Sequence, residues 1–253
     1  MISERFPRTL TWDGCRNVRD LGGIPTEDGD TTRSGRVIRA DNIGKLTPDG
    51  WRTFERHGIA RVVDLRFPEE RTQDPPRGVD VEVTHVSVLG PSANDGPDFV
   101  AELVAHLDSV DDVADHYAWS YVRFLERNRE RFGQALTAVA EADGPVVIHC
   151  ASGKDRTGLV TSLLLRLAGV SAEEIGHDYA LSGPNLAAEL GPWLESAPDP
   201  AERRRREKIS QTPAAGMRRV VEDMEAAYET VAGYLEAAGV TAATIDRLRT
   251  RLR

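Results

Sequence analysis

Cys150 and Arg156 stand six positions apart in the run His149-Cys150-Ala151-Ser152-Gly153-Lys154-Asp155-Arg156-Thr157-Gly158. Cysteine attacks as its thiolate, and arginine is a planar, permanently charged fork that binds two phosphate oxygens at once. An apolar run, Val146-Val147-Ile148, leads into the segment, and an apolar helical stretch from Leu159 to Leu167 leads out. The order is buried strand, tight loop, helix N-terminus. The first amides of a helix are unpaired and carry partial positive charge, so such a loop is built to hold a tetrahedral oxyanion. The same field lowers a thiol pKa, to about 3.5–7.5 at favourable sites. Thiolate plus phosphate cradle points to phosphoryl transfer through a cysteinyl-phosphate on Cys150. The Arg156 side chain and the loop amides from Ala151 through Ser152, Gly153, Lys154 and Asp155 to Arg156 are placed to stabilise the equatorial oxygens.

Other readings of the loop fit less well. A nucleotide-binding P-loop needs glycine where Ile148 stands and serine or threonine where Asp155 stands. A zinc site needs more ligands than two cysteines without a Cys-x-x-Cys pair supply. A sulfurtransferase also places a cysteine after a strand, but Arg156-Thr157 at this spacing favours phosphate. An inert buried cysteine leaves the charged run Lys154-Asp155-Arg156 unexplained.

The Cys-x5-Arg-Thr loop resembles the active-site loop of the protein tyrosine phosphatase superfamily. Its wording is similar to that of a bacterial branch of atypical, broad-specificity tyrosine/lipid phosphatases. Three further segments agree in order: Asn17-Val18-Arg19-Asp20-Leu21-Gly22-Gly23, Ser34-Gly35-Arg36-Val37-Ile38-Arg39, and Val62-Val63-Asp64-Leu65-Arg66 followed by Glu69, Glu70 and Arg71. The ending Tyr234 to Val240, with a short amphipathic helix after it, is also similar, so the resemblance spans nearly the whole chain. It implies a metal-independent phosphomonoesterase without a cofactor. The implied substrates are phosphotyrosine, with phosphoserine/threonine and phosphoinositides beside it. The loop chemistry alone specifies only a phosphate monoester. A phosphatase of a small sugar or nucleoside phosphate, and a phosphate-binding module without turnover, therefore stay open.

Roles follow from the loop and the resemblance together. Thr157 donates to the thiolate or simply opens the helix. His149 positions the backbone and is not the base. The general acid has two candidates: Asp155 within the loop, and Asp64, whose strand ends on the same rim. Asp64 paired with Arg66 or Arg71 is the alternative to its having a role at the phosphate. Lys154 adds a cation that suits a second anionic group on the substrate. Arg19 and Asp20 are expected to orient the loop or the substrate, with Gly22-Gly23 forming a tight turn. Arg203 to Arg206 form the one basic cluster, which is a solvated helical face or a substrate clamp. Cys15 is a candidate disulfide partner for Cys150 on oxidation.

Strands over Val37–Ala40, Arg61–Leu65, Val81–Val88 and Val146–His149, alternating with helices, predict an α/β fold with a mainly parallel central sheet. Ligands gather beyond the carboxyl ends of such strands. Thr47-Pro48 opens one helix, the Val113 to Leu125 stripe marks another, and Gln134 to Ala142 a third. The C-terminal part is helical. Ser171 and Glu174 make a capping box, Met217 to Ala238 form one long stripe ended by Gly239, and Thr241 opens the last helix. Ser182 to Pro213 reads as the least regular stretch, a lid within one phosphatase-like domain covering residues 1–253.

With 253 residues, 29% charged, and a net charge of −9, the composition suits a globular enzyme and argues against general nucleic-acid binding. No apolar run approaches the ~20 residues of a membrane span. The start, Met1 to Pro7, lacks a signal peptide's apolar core. Two distant cysteines suit a reducing compartment, so a cytoplasmic location is expected, with unconventional export left open. The pattern fixes no oligomeric state.

Overall fold

Val146, Val147 and Ile148 are fully buried, as is every residue of Val37–Ala40, the mark of strands covered on both faces. The computed structural model describes residues 8–75, 80–92 and 96–253. Along the chain, β1 (Arg19–Asp20) and β2 (Val37–Ala40) precede a single 3₁₀ turn at Ile43–Lys45. Next come α1 (Pro48–Arg56), β3 (Arg61–Asp64), α2 (Pro68–Gln73) and β4 (Glu82–His85). Three helices follow, α3 (Pro97–Ser109), α4 (Val113–Arg127) and α5 (Arg129–Ala140), before β5 (Val146–His149) and α6 (Asp155–Leu167). The rest is helical: α7 (Ala172–Ala180), α8 (Ser182–Glu195), α9 (Pro200–Ser210), α10 (Ala214–Tyr228), α11 (Val231–Ala237) and α12 (Ala242–Arg251).

The sheet order is β1-β2-β5-β3-β4, antiparallel only at β1, so the α/β, mainly parallel architecture is the one observed. Successive side chains of a strand point to opposite faces, and the two cores follow that alternation. Val146 and Ile148 join Val37, Val63 and residues of α4 to α7 and α10 to α12, whereas Val147 joins Ile38, Val62, Trp12 and Phe54 under α1. Each fully buried aliphatic side chain contributes about 1.5–3 kcal/mol, which makes β5 a rigid base for the loop after it. Register pairs Asp64 with His149, so the ends of β3 and β5 share one rim.

Three stretches differ from the sequence reading. Residues 182–213 are ordered into α8 and α9, because the prolines there start helices or are tolerated by them. Pro200 stands in the first turn of α9 behind an Asp199 cap that accepts from the amides of Ala201 and Glu202, both at 2.8 Å. Pro192 lies inside α8. The Met217–Ala238 stripe is two helices, broken at Glu229, whose φ is 63°, and restarted by Thr230, whose hydroxyl accepts from Gly233 N at 3.0 Å. Both helices pack on one core, so the stripe's periodicity survives the break. Helix α3 is not anticipated, although Phe99, Leu103 and Leu107 recur at four-residue spacing. The capping residues Thr47, Ser171 and Thr241 each accept from the amide three positions on.

Candidate active site

The loop between β5 and α6 is shaped from behind. Asn42 N donates to the Ala151 carbonyl at 3.0 Å, Asn17 Nδ2 to Ser152 O at 3.0 Å, and Arg39 Nη2 to Gly153 O at 2.8 Å. A trans peptide points its N–H opposite to its C=O. Three consecutive carbonyls drawn toward the protein therefore turn the next amides, those of Ser152, Gly153 and Lys154, away from those partners. Among the described residues, no acceptor takes the amides of Ala151 to Arg156, which leaves these donors to a ligand or solvent. Gly153 is required for this path: its φ is +67°, and a Cβ would lie 2.4 Å from Ala40 O.

Arg156 stands in the first turn of α6, directly after the loop. Its Nη1 and Nη2 both donate to the Glu70 carboxylate, Nη2 at 2.9 Å, and its guanidinium sits 5.1 Å from the Phe67 ring centre. Burial works against its charge, but Cys150, Glu70 and Asp155 hold it cationic. Glu70 also accepts from Phe67 N at 2.7 Å, which fixes it in the first turn of α2. Burial raises its carboxyl, and the Arg156 hydrogen bonds and charge bring it below the ordinary value. An end-on pair of this kind uses one proton from each terminal nitrogen. The Nε–H and the neighbouring outer Nη2–H remain as a second edge of the fork for two further oxygens.

Beside the fork, Asp155 Oδ1 accepts from the Tyr121 hydroxyl and lies 3.3 Å from Lys154 Nζ. Tyr121 in turn shares a 2.9 Å hydrogen bond with Tyr179. Lys154 is not a solvated surface lysine. It is 7% exposed and donates to Tyr117 at 2.9 Å and to Ile209 O at 2.5 Å, so it ties the loop to the end of α9. Thr157 is fully buried, and its hydroxyl has no partner among the described residues. A cleft of about 480 Å³ opens over these groups. Its floor is Lys154, Asp155 and Arg156, and its walls include Phe67, Tyr117, Phe124, Val104 and Ile209.

A sequence profile of the tyrosine phosphatase family matches residues 10–253. The chain belongs to that family. A tyrosine-protein phosphatase of Nostoc commune is 28% identical over 225 residues, covering 85% of this chain and 73% of that protein. The triple specificity protein phosphatase PtpB of Mycobacterium tuberculosis is 28% identical over 270 residues, covering 93% of this chain and 96% of that protein. The chain is a phosphatase, and its substrates are phosphorylated. Among its described residues, no helix is long and apolar enough to cross a membrane.

Within this phosphatase, Cys150 through Thr157 lie together around the cleft floor or just behind it. The other candidates lie farther back. Asp64 is fully buried and accepts from Arg66 Nε at 3.0 Å, Arg66 Nη2 at 2.9 Å and Arg71 Nε at 3.0 Å. Burial pushes its carboxyl up, but the Arg66 hydrogen bonds, with His149 and the Arg66 charge, bring it down to about 2. Arg19, fully buried, donates to Asn17 Oδ1 at 2.6 Å and to Asp178 Oδ1 at 3.1 Å, so it reaches the loop through Asn17. Asp20 is adjacent on the strand and points the other way. Its carboxylate holds Gly22 N at 2.8 Å and Gly35 N at 2.6 Å, fastening a turn. In the basic cluster, Arg203 pairs with Glu207, Arg205 with Asp108 and Arg206 with Glu202. Cys15 and Cys150 are both free thiols. Burial, then the Asp41 charge, pushes the Cys15 thiol far up, which disfavours the thiolate an exchange reaction needs.

Sequence reasoning gave no role to Glu70 and Arg39, which it met only within the resembling segments, nor to Tyr121, Tyr179 and Asp178. The last is the hub behind the loop. It is 2% exposed and pairs with Arg8, with Arg19 and, at 2.7 Å, with Arg39. Burial raises its carboxyl, and the Arg19, Arg39 and Arg8 charges lower it much further. Asp178→Ala leaves buried guanidinium groups without a counter-charge, so unfolding in urea is expected to show a loss of about 3–5 kcal/mol.

His149 is 1% exposed, with Nδ1 3.3 Å from Cys150 O and Nε2 3.7 Å from Asp64. Burial, against the pull of Asp64, brings its imidazole from 6.5 down to about 4, and burial and His106 do the same for His116 on α4. The unfolded chain binds these protons near 6.5 and the folded chain only near 4. Their contribution to stability is therefore complete above 6.5 and lost as the pH falls toward 4. The urea midpoint is expected to drop steadily across that window. A flat profile would remove both histidines from the account.

Proposed function

We propose that this phosphatase works through a cysteinyl-phosphate on Cys150 and acts mainly on phosphotyrosine in proteins, with phosphoserine/threonine or phosphoinositides as further substrates. The observation that carries the reading is the run of loop amides left without acceptors among the described residues, beside an Arg156 fork that still has one edge to offer. Cys150 Sγ attacks phosphorus. The S–P bond forms as the bond to the leaving oxygen breaks, and Asp155 passes its proton to that oxygen. Water then attacks the phosphorus and gives a proton back to Asp155 as the S–P bond breaks, with the Thr157 hydroxyl donating to the departing thiolate. The amides of Ala151, Ser152, Gly153, Lys154 and Asp155 and the free edge of Arg156 hold the equatorial oxygens. Asp155 is favoured over Asp64 as the acid, because a carboxyl held at about 2 carries no proton to give near neutral pH. Arg19 and Asp64 act as positioning residues behind the site, Asp20 as the anchor of a turn, and α8 with α9 as a lid within a single domain. The scheme needs no cofactor, and a cytoplasmic location suits it.

The mainly apolar walls favour an aryl phosphate over a sugar phosphate, whose hydroxyls would lose water without gaining partners. The experiment is metal-free phosphate release from phosphotyrosine and phosphoserine peptides, phosphoinositides, and sugar and nucleoside phosphates, with acid-quench trapping of labelled phosphate on the protein. Peptide preference and a trapped, acid-stable adduct are expected. A sugar or nucleoside preference would keep the mechanism and change the substrate. Turnover with no trapped phosphate under pre-steady-state conditions would count against the cysteinyl-phosphate, and tight phosphate binding without any turnover would favour a binding module.

A further inference from the structure

Both described donors to the Asp155 carboxylate approach the same oxygen. Oδ1 accepts from the Tyr121 hydroxyl and lies 3.3 Å from Lys154 Nζ, while Oδ2 accepts from no donor among the described residues. The Asp155 side chain is 40% exposed and lies on the cleft floor, so one oxygen is tied to the protein and the other is left to the cleft.

Tyr121 has one proton, and it is spent on Asp155. Its 2.9 Å contact with Tyr179 is then a bond in which Tyr179 donates and Tyr121 accepts. The result is a directed chain, Tyr179 to Tyr121 to Asp155 Oδ1. Burial, with the Asp155 charge beside it, raises both phenols well above their ordinary value, so both stay donors at any working pH. The rings are held edge to face: Tyr121 meets Tyr117 at 5.2 Å and 89°, and Tyr179 at 6.1 Å and 90°. Gly158 permits the approach, since a Cβ there would come within 3.0 Å of the Tyr179 ring.

We propose that Tyr121, backed by Tyr179, is a positioning residue for proton transfer: it pins Asp155 Oδ1 so that the transferable proton resides on Oδ2, facing the leaving oxygen. The inference rests on Asp155 being the general acid. In the step concerned, the Cys150 S–P bond forms, the P–O bond to the leaving group breaks, and the Oδ2 proton moves to that leaving oxygen. Oδ1 keeps its Tyr121 hydrogen bond before and after, as a carbonyl oxygen and then as part of the carboxylate.

In the first step a positioning role for an acid is visible only when the leaving group needs a proton, and kcat/KM reports that step without the later hydrolysis. Steady-state kinetics of the full chain with phenyl phosphate and 2,4-dinitrophenyl phosphate therefore separates it from a structural role. Tyr121→Phe is expected to lower kcat/KM for phenyl phosphate about tenfold, the size of one lost hydrogen bond to a charged group. The same variant should keep kcat/KM for the dinitrophenyl ester within about twofold. Tyr179→Phe should fall in the same sense by less. In an Asp155→Asn background, Tyr121→Phe should add nothing, because the proton it orients is gone. Equal losses with both esters would make Tyr121 a packing residue, and no loss with either, or a full further loss in the Asp155→Asn background, would equally overturn the proposal. If Asp155→Asn itself shows no leaving-group dependence, the assignment of the acid fails first. If it does and Tyr121→Phe does not, only the positioning role fails.

Discussion

Cys150→Ser is expected to reduce phosphate release by about ten-thousand-fold or more while phosphate still binds. The replacement is nearly isosteric, and the cradle does not depend on sulfur. Its carbonyls are pinned by Asn42, Asn17 and Arg39, and its fork by Glu70. What disappears is the nucleophile. A serine hydroxyl attacks only when a base removes its proton, and the neighbourhood has none to offer. His149 Nδ1 faces the Cys150 carbonyl and Nε2 faces Asp64, and Asp155 is committed to the leaving group. The measurement is kcat for an aryl phosphate beside the Kd for inorganic phosphate. Residual turnover above about one part in a hundred would mean that attack does not come from position 150.

Arg156→Lys is the second large effect, about a thousandfold in kcat/KM. Charge is conserved, so the loss isolates geometry. The guanidinium meets Glu70 with its end and has a second edge turned away from that pair, whereas an ammonium is a point charge that one carboxylate can monopolise. Lysine beside Glu70 should therefore form a closed ion pair and leave the equatorial oxygens to the amides alone. The measurement is kcat/KM together with the thermal midpoint. A large loss of activity with little change in midpoint is expected, since the first turn of α2 keeps its Phe67 N contact with Glu70. A fall of less than tenfold would show that the charge, not the fork, is what the reaction uses.

The loop was legible in the sequence because its parts are contiguous. Strand, cysteine, arginine and helix start occur within one stretch, and local rules suffice to order them. Val37–Ala40 and Val146–His149 were legible to the residue, since continuous apolar runs between breakers leave little choice. What completes the site was not legible, because tertiary contact supplies it. Glu70 reaches Arg156 across 86 positions and Tyr121 reaches Asp155 across 34. A glutamate in a first helical turn, or a tyrosine on an apolar stripe, looks the same with or without such a partner. The same blindness hid Asp178, which reads as one more polar residue in a short helix until Arg19 and Arg39 close on it. Proline misled in the other direction. Taken as punctuation, Pro192 and Pro200 suggested an irregular lid, yet one lies within a helix and the other begins one. Arg19 and Asp20 show the limit of reading pairs. They are neighbours in sequence, but strand alternation sends one toward the loop and the other to a turn.

The pins on the loop carbonyls also fix when, in the life of the chain, this active site can exist. Asn17 holds a residue 135 positions later and Arg39 one 114 positions later. Nothing between Cys150 and Thr157 supplies those bonds locally, so the short helix start cannot organise the cradle by itself. It must wait for β2 and β5 to pair, a contact whose loop-closure cost is met before any reward is gathered. A nascent chain therefore carries its nucleophile unshaped until its earliest and its middle thirds have met. Catalytic competence is a late and collective property of the folding polypeptide, even though its signature is written in ten consecutive letters.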